Sequence, residues 1–404
     1  MDSSLSICFV SQEYPEETGW GGIGTYTYEM AHGLAREGHR VVVLARGATH
    51  RRYYVEEDGV HVYRTLPRLN LSNAHLLWRL NGLWEGYRLA VAIALREIVR
   101  HHHIDLIETP DLHAEPVLFR LTRVGRPPLV VRLHSANYMV GGTGPVHARR
   151  SRLDRWSEKV MLRLAAAITS PSDAGARHRD PAYSIARRGY RVIPNPVDTS
   201  HFRPVHSPED DSNAEVLFMG RLEPLKGIDV LLRALPLVCE NMPEARFTVV
   251  GAGMGKSTDS IAEQNAMSLA CGDFADRMRV LSRVPHGELP AIYAQAAVCV
   301  VPSRWEQFGY TCAEAMACGR AVVASRIGGL AELIEDRVSG LLVEPGDTDA
   351  LAEAVVRLLG DTELREEMGR AARRRAETMF ATGVVAPRMA EFYRGVLGTV
   401  CGSV

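Results

Sequence analysis

Four groups of residues in this 404-residue chain have types and spacings suited to chemistry. In Gly220-Arg221-Leu222-Glu223-Pro224-Leu225-Lys226-Gly227 an arginine and a lysine stand five apart, in a loop that follows the apolar run VLFM. A planar guanidinium fork and a compact ammonium in one loop suit a diphosphate, and a pair of solvated surface charges is the plainer alternative. Glu306 and Glu314 are eight apart, E-x7-E, around Phe308-Gly309-Tyr310-Thr311 and a helical AEAMA segment. The first turn of that helix would offer backbone N–H donors from Phe308 to Tyr310 to an anionic or polyhydroxy ligand. Gly19, Gly21 and Gly24 fit G-x-G-x-x-G, but the preceding strand ends near Val10, too far away for the tight turn of a dinucleotide fingerprint. A loop and helix N-terminus meeting a phosphate, with Gly21, Gly22 and Gly24 allowing close approach, reads better; a plain glycine turn is the alternative. His134 follows the run LVVRL, and a histidine there is either structural or faces a ligand.

Other patterns carry less. Gly251 to Ser257 mimics a phosphate loop but has Val250 where the pattern needs glycine, leaving a Gly251 backbone contact to a nucleotide. Asp347-Thr348-Asp349 has the D-x-D form of a cation site, yet it precedes ALAEAVVRLL and reads as a helix N-cap. No metal ligand set is assigned. The triplet His101 to His103 lies between a helix and a strand and reads as exposed.

These residues must be positioned by something, and the chain supplies it. Short β-branched runs alternate with amphipathic stretches throughout, which indicates parallel sheets with crossover helices. The first series is Ser6–Val10, Val41–Leu44, Leu106–Glu108, Leu129–Leu133, Ala167–Ser170 and Arg191–Ile193. The second is Glu215–Met219, Arg246–Val250, Arg279–Leu281, Val298–Val301, Ala321–Ala324 and Gly340–Val343. Two such series imply two Rossmann-like domains, 1–196 and 197–386, joined through the proline-rich linker Pro194–Asn213. A last helix is expected from Pro387, after a break. The chemistry-bearing loops all follow strands, where ligands bind in open parallel sheets.

Composition narrows the class. Hydrophobic residues make up 46% and charged residues 24%, ordinary values for a folded soluble chain. The net charge of −1 argues against a nucleic-acid binder, although residues 1–200 hold 26 basic against 20 acidic side chains and the remainder is acidic. Only Lys159, Lys226 and Lys256 are lysines, against 44 arginines. The seven scattered cysteines form no C-x-x-C pair, and the N-terminus lacks the features of a signal peptide. A cytoplasmic location is expected, with a peripheral contact to the inner membrane left open by the basic stretch Arg149 to Arg155.

Taken together, GGIGTYTYEMAHGLAREGHRVVVLA, RLHS, VIPNPVDTSHF, MGRLEPLKGIDVLLRAL, PSRWEQFGYTCAEAMACGRAVVASRIGGLAELI and SGLLVEPGD resemble the retaining glycosyltransferases of family 4. The resemblance implies an α/β GT-B fold: two doubly wound domains facing each other across a cleft, with a C-terminal helix, 387–404, crossing back to the first. It implies transfer of a sugar from a nucleotide-sugar donor to an acceptor hydroxyl by a front-face mechanism, without metal or other cofactor. Catalytic roles fall to Glu306, Arg221, Lys226 and His134: the cations on the diphosphate, Glu306 on hydroxyls of the transferred sugar, His134 beside the reacting centre. Donor contacts fall to Gly21, Gly22, Gly24, Gly220, Gly251, Val284, Ser303, Phe308, Gly309, Tyr310 and Thr311, with Glu314 on the ribose and Arg304 near the base.

Glu13, Tyr26, Asp111, Asn137 and Tyr138 are the expected acceptor contacts. A UDP-sugar and a small-molecule or glycan acceptor are the leading expectation, in a monomer or homodimer. A GDP-mannose enzyme acting on a lipid-linked or glycan acceptor is the main rival. A catalytically silent sugar-nucleotide binder and a nicotinamide-dependent oxidoreductase are the alternatives of other classes; the second leaves the motifs after residue 200 unexplained.

Overall fold

The computed structural model describes residues 4–48, 52–65, 84–122, 127–134, 145–205, 214–251, 272–281 and 284–401. The chain divides into two compact units, Met1–Pro196 with Thr382–Val404, and Val197–Ala381.

Unit 1 is built on a sheet of strands β1 (Ser6–Ser11), β2 (Arg40–Arg46), β3 (Tyr53–Glu57), β4 (Val60–Thr65), β5 (Leu106–Pro110), β6 (Leu129–Arg132), β7 (Ala167–Ser170) and β8 (Arg191–Val192). Their order is β3-β4-β2-β1-β5-β6-β7-β8, parallel except for the β3–β4 pair. Strands such as β1 and β5 are buried along almost their whole length because helices cover both faces of a parallel sheet. β3 and β4 have no counterpart in the expected series. β3 reads YYVEE and runs along the sheet edge with Tyr53 and Tyr54 exposed, so it carries none of the apolar signal of a central strand.

Unit 2 holds β9 (Glu215–Met219), β10 (Arg246–Val250), β11 (Met278–Leu281), β12 (Val298–Val301), β13 (Ala321–Ser325) and β14 (Leu341–Val343), all parallel, in the order β11-β10-β9-β12-β13-β14. This is the doubly wound 3-2-1-4-5-6 order. The helix Ile228–Asn241 buries Ile228, Leu231, Leu235 and Val238, a stripe with helical spacing, against the sheet.

Two expectations about the connection need correction. The described residues of the segment expected as linker are built into the two units: Asn195 accepts a 2.8 Å hydrogen bond from buried Arg132 in unit 1, while Val197 and Phe202 are buried in the apolar core of unit 2. The last helix runs Thr382–Cys401, with Pro387 inside it rather than at its start. Its beginning is fixed by a side chain, because Thr382 Oγ1 donates to buried Glu29 of the helix Gly22–Arg36 at 2.9 Å. The Asp347 reading as a cap matches the geometry: Asp347 Oδ1 accepts from the Ala350 N–H at 2.9 Å.

Candidate functional site

In unit 2 the strand order reverses between β9 and β12, so the loops after these two strands diverge and leave a crevice at their carboxyl ends. The first loop ends in a tight turn, Pro224–Lys226, closed by Gly227 with φ of 74°. A Cβ at Gly227 would collide with the Pro302 carbonyl, so this glycine lets the two loops approach. That approach brings together residues 80 apart in sequence: Lys226 Nζ donates to Glu306 Oε1 at 2.6 Å, and Ser303 Oγ donates to the same oxygen at 3.0 Å. Phe218, Gly220, Lys226, Ser303, Glu306 and Thr311 line a small pocket here. The pair is sheltered but not sealed, with 22% of the Lys226 side chain and 12% of the Glu306 side chain exposed. Arg221 is 58% exposed beside the same loop and pairs with Glu223 at 2.8 Å.

The surrounding residues hold this arrangement in shape. Gly329 N–H donates to the Glu306 carbonyl at 2.9 Å, and side chains at Gly328 or Gly329 would strike the Glu306–Phe308 backbone, so the glycine pair of SRIGG backs the Glu306 loop. Gly309 caps the helix Tyr310–Ala317. Phe308 is buried, edge-on to Tyr310 and Phe380. Gly251 packs against the Gly220 carbonyl, and Val284 packs on the apolar cluster under the site. Arg304, expected near a base, is instead bound to Asp229 through both terminal nitrogens, at 2.6 and 2.7 Å, and to the Pro224 carbonyl. Those hydrogen bonds hold the Asp229 carboxyl below its ordinary range, so Arg304 braces the Lys226 loop.

Glu314 lies in the helix Tyr310–Ala317 and is 6% exposed. Burial pushes its carboxyl up to about 7, against the pull of a 2.8 Å hydrogen bond from Tyr293 Oη. No sequence signal marked Tyr293; only the topology brings the end of the helix Leu289–Ala294 against Glu314.

Unit 1 arranges its strand ends differently. Gly21 caps the helix Gly22–Arg36, and Glu13 packs beneath Gly21 and Gly24, while the space beside Gly22 is open. The loop before the cap is held by buried Arg64 of β4, which donates to the Tyr14 and Pro15 carbonyls at 3.0 and 2.9 Å. Tyr26, expected at the acceptor, is buried and donates to Glu108 Oε1 at 2.5 Å; Tyr393 of the last helix donates to Glu108 Oε2 at 2.7 Å. The Arg132 guanidinium sits 4.6 Å above the Tyr26 ring.

Asp111, expected in the same role, is also committed within the fold. One carboxylate oxygen accepts the His134 N–H at 2.8 Å and the other pairs with buried Arg179 at 2.8 Å. His134 is buried edge-on against Tyr26, and burial together with Arg132 and Arg179 holds its imidazole neutral. Asn137 and Tyr138 lie outside the described residues, as does Lys256.

Comparison with known proteins agrees with this geometry. The family described as "Glycosyltransferase Family 4" matches residues 20–201, and "Glycosyl transferases group 1" matches residues 201–375. A D-inositol 3-phosphate glycosyltransferase of Segniliparus rotundus is 34% identical over 87% of this chain and 79% of its own. A glycogen synthase of Mycobacterium tuberculosis is 28% identical over 96% of this chain and 94% of its own. The sucrose-phosphate synthase of Thermosynechococcus elongatus shares the fold, with a TM-score of 0.79 and 23% identity over 98% of this chain and 100% of that one. With two glycosyltransferase families matched end to end over two doubly wound sheets, the chain belongs to the family 4 glycosyltransferases of GT-B fold.

Proposed function

We propose that this glycosyltransferase moves a sugar from a UDP-sugar to a hydroxyl of a small-molecule or glycan acceptor, with retention at the anomeric carbon and without a metal. The observation that carries the reading is the Lys226–Glu306 pair at the strand-order reversal of unit 2, part-open and lined by Ser303 and Thr311.

Breaking the anomeric C–O bond places negative charge on the departing diphosphate and positive charge on the sugar. Lys226 and Arg221 would stabilise the first electrostatically, exchanging their present partners Glu306 and Glu223 for phosphate oxygens. Glu306, released from Lys226 as the diphosphate takes that cation, would accept from hydroxyls of the sugar. Glu314 would hold the ribose. With no second carboxylate placed opposite Glu306 in this crevice among the described residues, the acceptor would attack on the face from which the leaving group departs, and a donor phosphate oxygen would take its proton. In unit 1, Gly21, Gly22 and Gly24 would approach the diphosphate and Glu13 would meet the acceptor. The relatives named for D-inositol 3-phosphate and for glycogen support a small-molecule or glycan acceptor.

A thermal-shift panel of UDP- and GDP-sugars tests the reading. A UDP-sugar is expected to raise the unfolding temperature, and Lys226→Ala to remove that rise. An unchanged rise in the variant would refute the diphosphate role of Lys226.

A further inference from the structure

Tyr293 is 1% exposed and stands near the end of the helix Leu289–Ala294, just before β12. Its hydroxyl lies 2.8 Å from Glu314 Oε2 and 3.3 Å from the carbonyl oxygen of Thr311, a residue that lines the pocket. Its ring is held edge-on by Phe202, with centroids 6.0 Å apart. A buried tyrosine needs one partner for its hydroxyl, and the Thr311 carbonyl alone would satisfy it. The shorter bond instead goes to a carboxylate, and it ties up only one of that carboxylate's two oxygens.

We propose that Tyr293 is a positioning residue of the donor site, whose hydroxyl orients the Glu314 carboxylate so that its second oxygen faces the ribose of a bound nucleotide. This rests on the reading of Glu314 as the ribose contact.

The titratable groups around Glu314 sharpen the expectation. Tyr293 faces it from the preceding helix and Cys318 from just past the end of its own helix; Cys299 of β12 acts on Tyr293 and Cys318, and Arg320 on the two cysteines. Both thiols are pushed up by burial, Cys299 to about 12, so neither carries charge near neutrality. Burial lifts the Glu314 carboxyl to about 7, and the Tyr293 hydrogen bond opposes that lift. The ionised carboxylate is the better acceptor for two ribose hydroxyls. Nucleotide binding therefore strengthens as pH rises through the pKa of Glu314. Without the tyrosine hydroxyl, ionisation moves to higher pH and the carboxylate is free to turn.

The test compares the full-length protein with Tyr293→Phe, Glu314→Gln and the double variant, by calorimetric titration with UDP and with 2′-deoxy-UDP between pH 5.5 and 9. Tyr293→Phe deletes one buried oxygen and keeps the ring, and its unfolding temperature is recorded alongside.

Support is a three- to tenfold loss of UDP affinity at pH 7, an acid limb displaced upward by about one pH unit, and a smaller preference for UDP over 2′-deoxy-UDP. Glu314→Gln is expected to remove the preference and to leave only the acid limb of the UDP terminal phosphate itself, at about pH 6, and adding Tyr293→Phe to it to shift that limb no further and cost nothing more. A lowered unfolding temperature with limb and preference unchanged makes Tyr293 a packing residue only and overturns the proposal. If Glu314→Gln itself leaves the ribose preference intact, the ribose reading fails first and the proposal with it. If UDP does not bind the parent protein, the uridine reading fails; the same series with GDP and 2′-deoxy-GDP then decides on Tyr293 by the same criteria.

Discussion

The strand ends of the two units carry similar side chains and use them in opposite ways. In unit 1, Glu108, Asp111, Arg132, His134 and Arg179 are all buried and are engaged with one another, with Tyr26, Tyr393 and Asn195, and with backbone groups. In unit 2, Lys226 and Glu306 meet across two loops while keeping part of their surface open, and Arg221 is mostly exposed. A buried charge that has lost its water must keep its partner, so the first set fixes shape. A part-exposed pair can exchange one partner for a ligand at modest cost, so the second set can bind. The same residue types are therefore closed on one another in unit 1 and keep open surface at Lys226, Glu306 and Arg221 in unit 2.

That contrast can be broken. The largest effect is expected from Asp111→Ala, which strands the Arg179 guanidinium in the interior: about 3–5 kcal/mol of stability, read as a lowered urea midpoint for unit 1. A loss below about 1 kcal/mol would mean that the buried set is not scaffold. Next comes Lys226→Ala, expected to lower kcat/KM by about 10²–10³-fold while leaving the urea midpoint nearly unchanged. A large stability loss with activity retained would reverse the assignment.

A pH series gives a third, graded comparison. Glu115 of unit 1 and Glu314 of unit 2 are both buried, and burial lifts each to about 7. A carboxyl raised in the folded state makes folding most stable below its unfolded value, near pH 4.5, and that stability is lost as pH rises through about 7. Each group accounts for a fall on the order of 3 kcal/mol over that window. Glu115→Gln and Glu314→Gln should each flatten the fall, seen in urea midpoints from pH 4.5 to 8. Glu314→Gln alone should also change nucleotide affinity, because Glu115 already spends both oxygens on Gln12 N–H and Tyr87 Oη. The smallest expected effect is Asp347→Ala, about 1 kcal/mol from the lost helix cap and none on transfer, which also tests the exclusion of D-x-D as a cation site.

Much of unit 2 was legible because its strands are short apolar runs bounded by glycine and proline: Glu215–Met219, Arg246–Val250 and Val298–Val301 begin and end where the sequence pattern places them. The motif loops were legible for the same reason, since each follows such a run. What the sequence could not show was pairing at a distance. Nothing in the spacing joins Lys226 to Glu306 or Arg304 to Asp229, which the crossover that sets β9 beside β12 brings together, or Tyr293 to Glu314, which lie on the helices before and after β12. In unit 1 the edge strand β3 lacked an apolar signal and the short alternating VHVYRT of β4 was not read as a strand, so Arg64 and its hold on the glycine loop went unread. Tyr26 and Asp111 looked like ligand contacts because a polar residue near a strand end has the same sequence signature whether it faces a ligand or a neighbour. The helix Thr382–Cys401 started early because a side-chain anchor, Thr382 on Glu29, lies outside what helical periodicity reports.

The split of unit 1 across the chain has a consequence for how the protein is made. Glu29 and Glu108 are translated early, yet Thr382 and Tyr393, which satisfy them in the finished fold, emerge only after all of unit 2. Unit 2 is contiguous and can complete itself during synthesis, whereas unit 1 must wait for its last helix before Thr382 and Tyr393 can donate to these two buried carboxylates. A ribosome-bound chain interrupted before residue 382 would thus carry a finished unit 2 and an unfinished unit 1, and the final helix acts as the closing piece of the first domain begun.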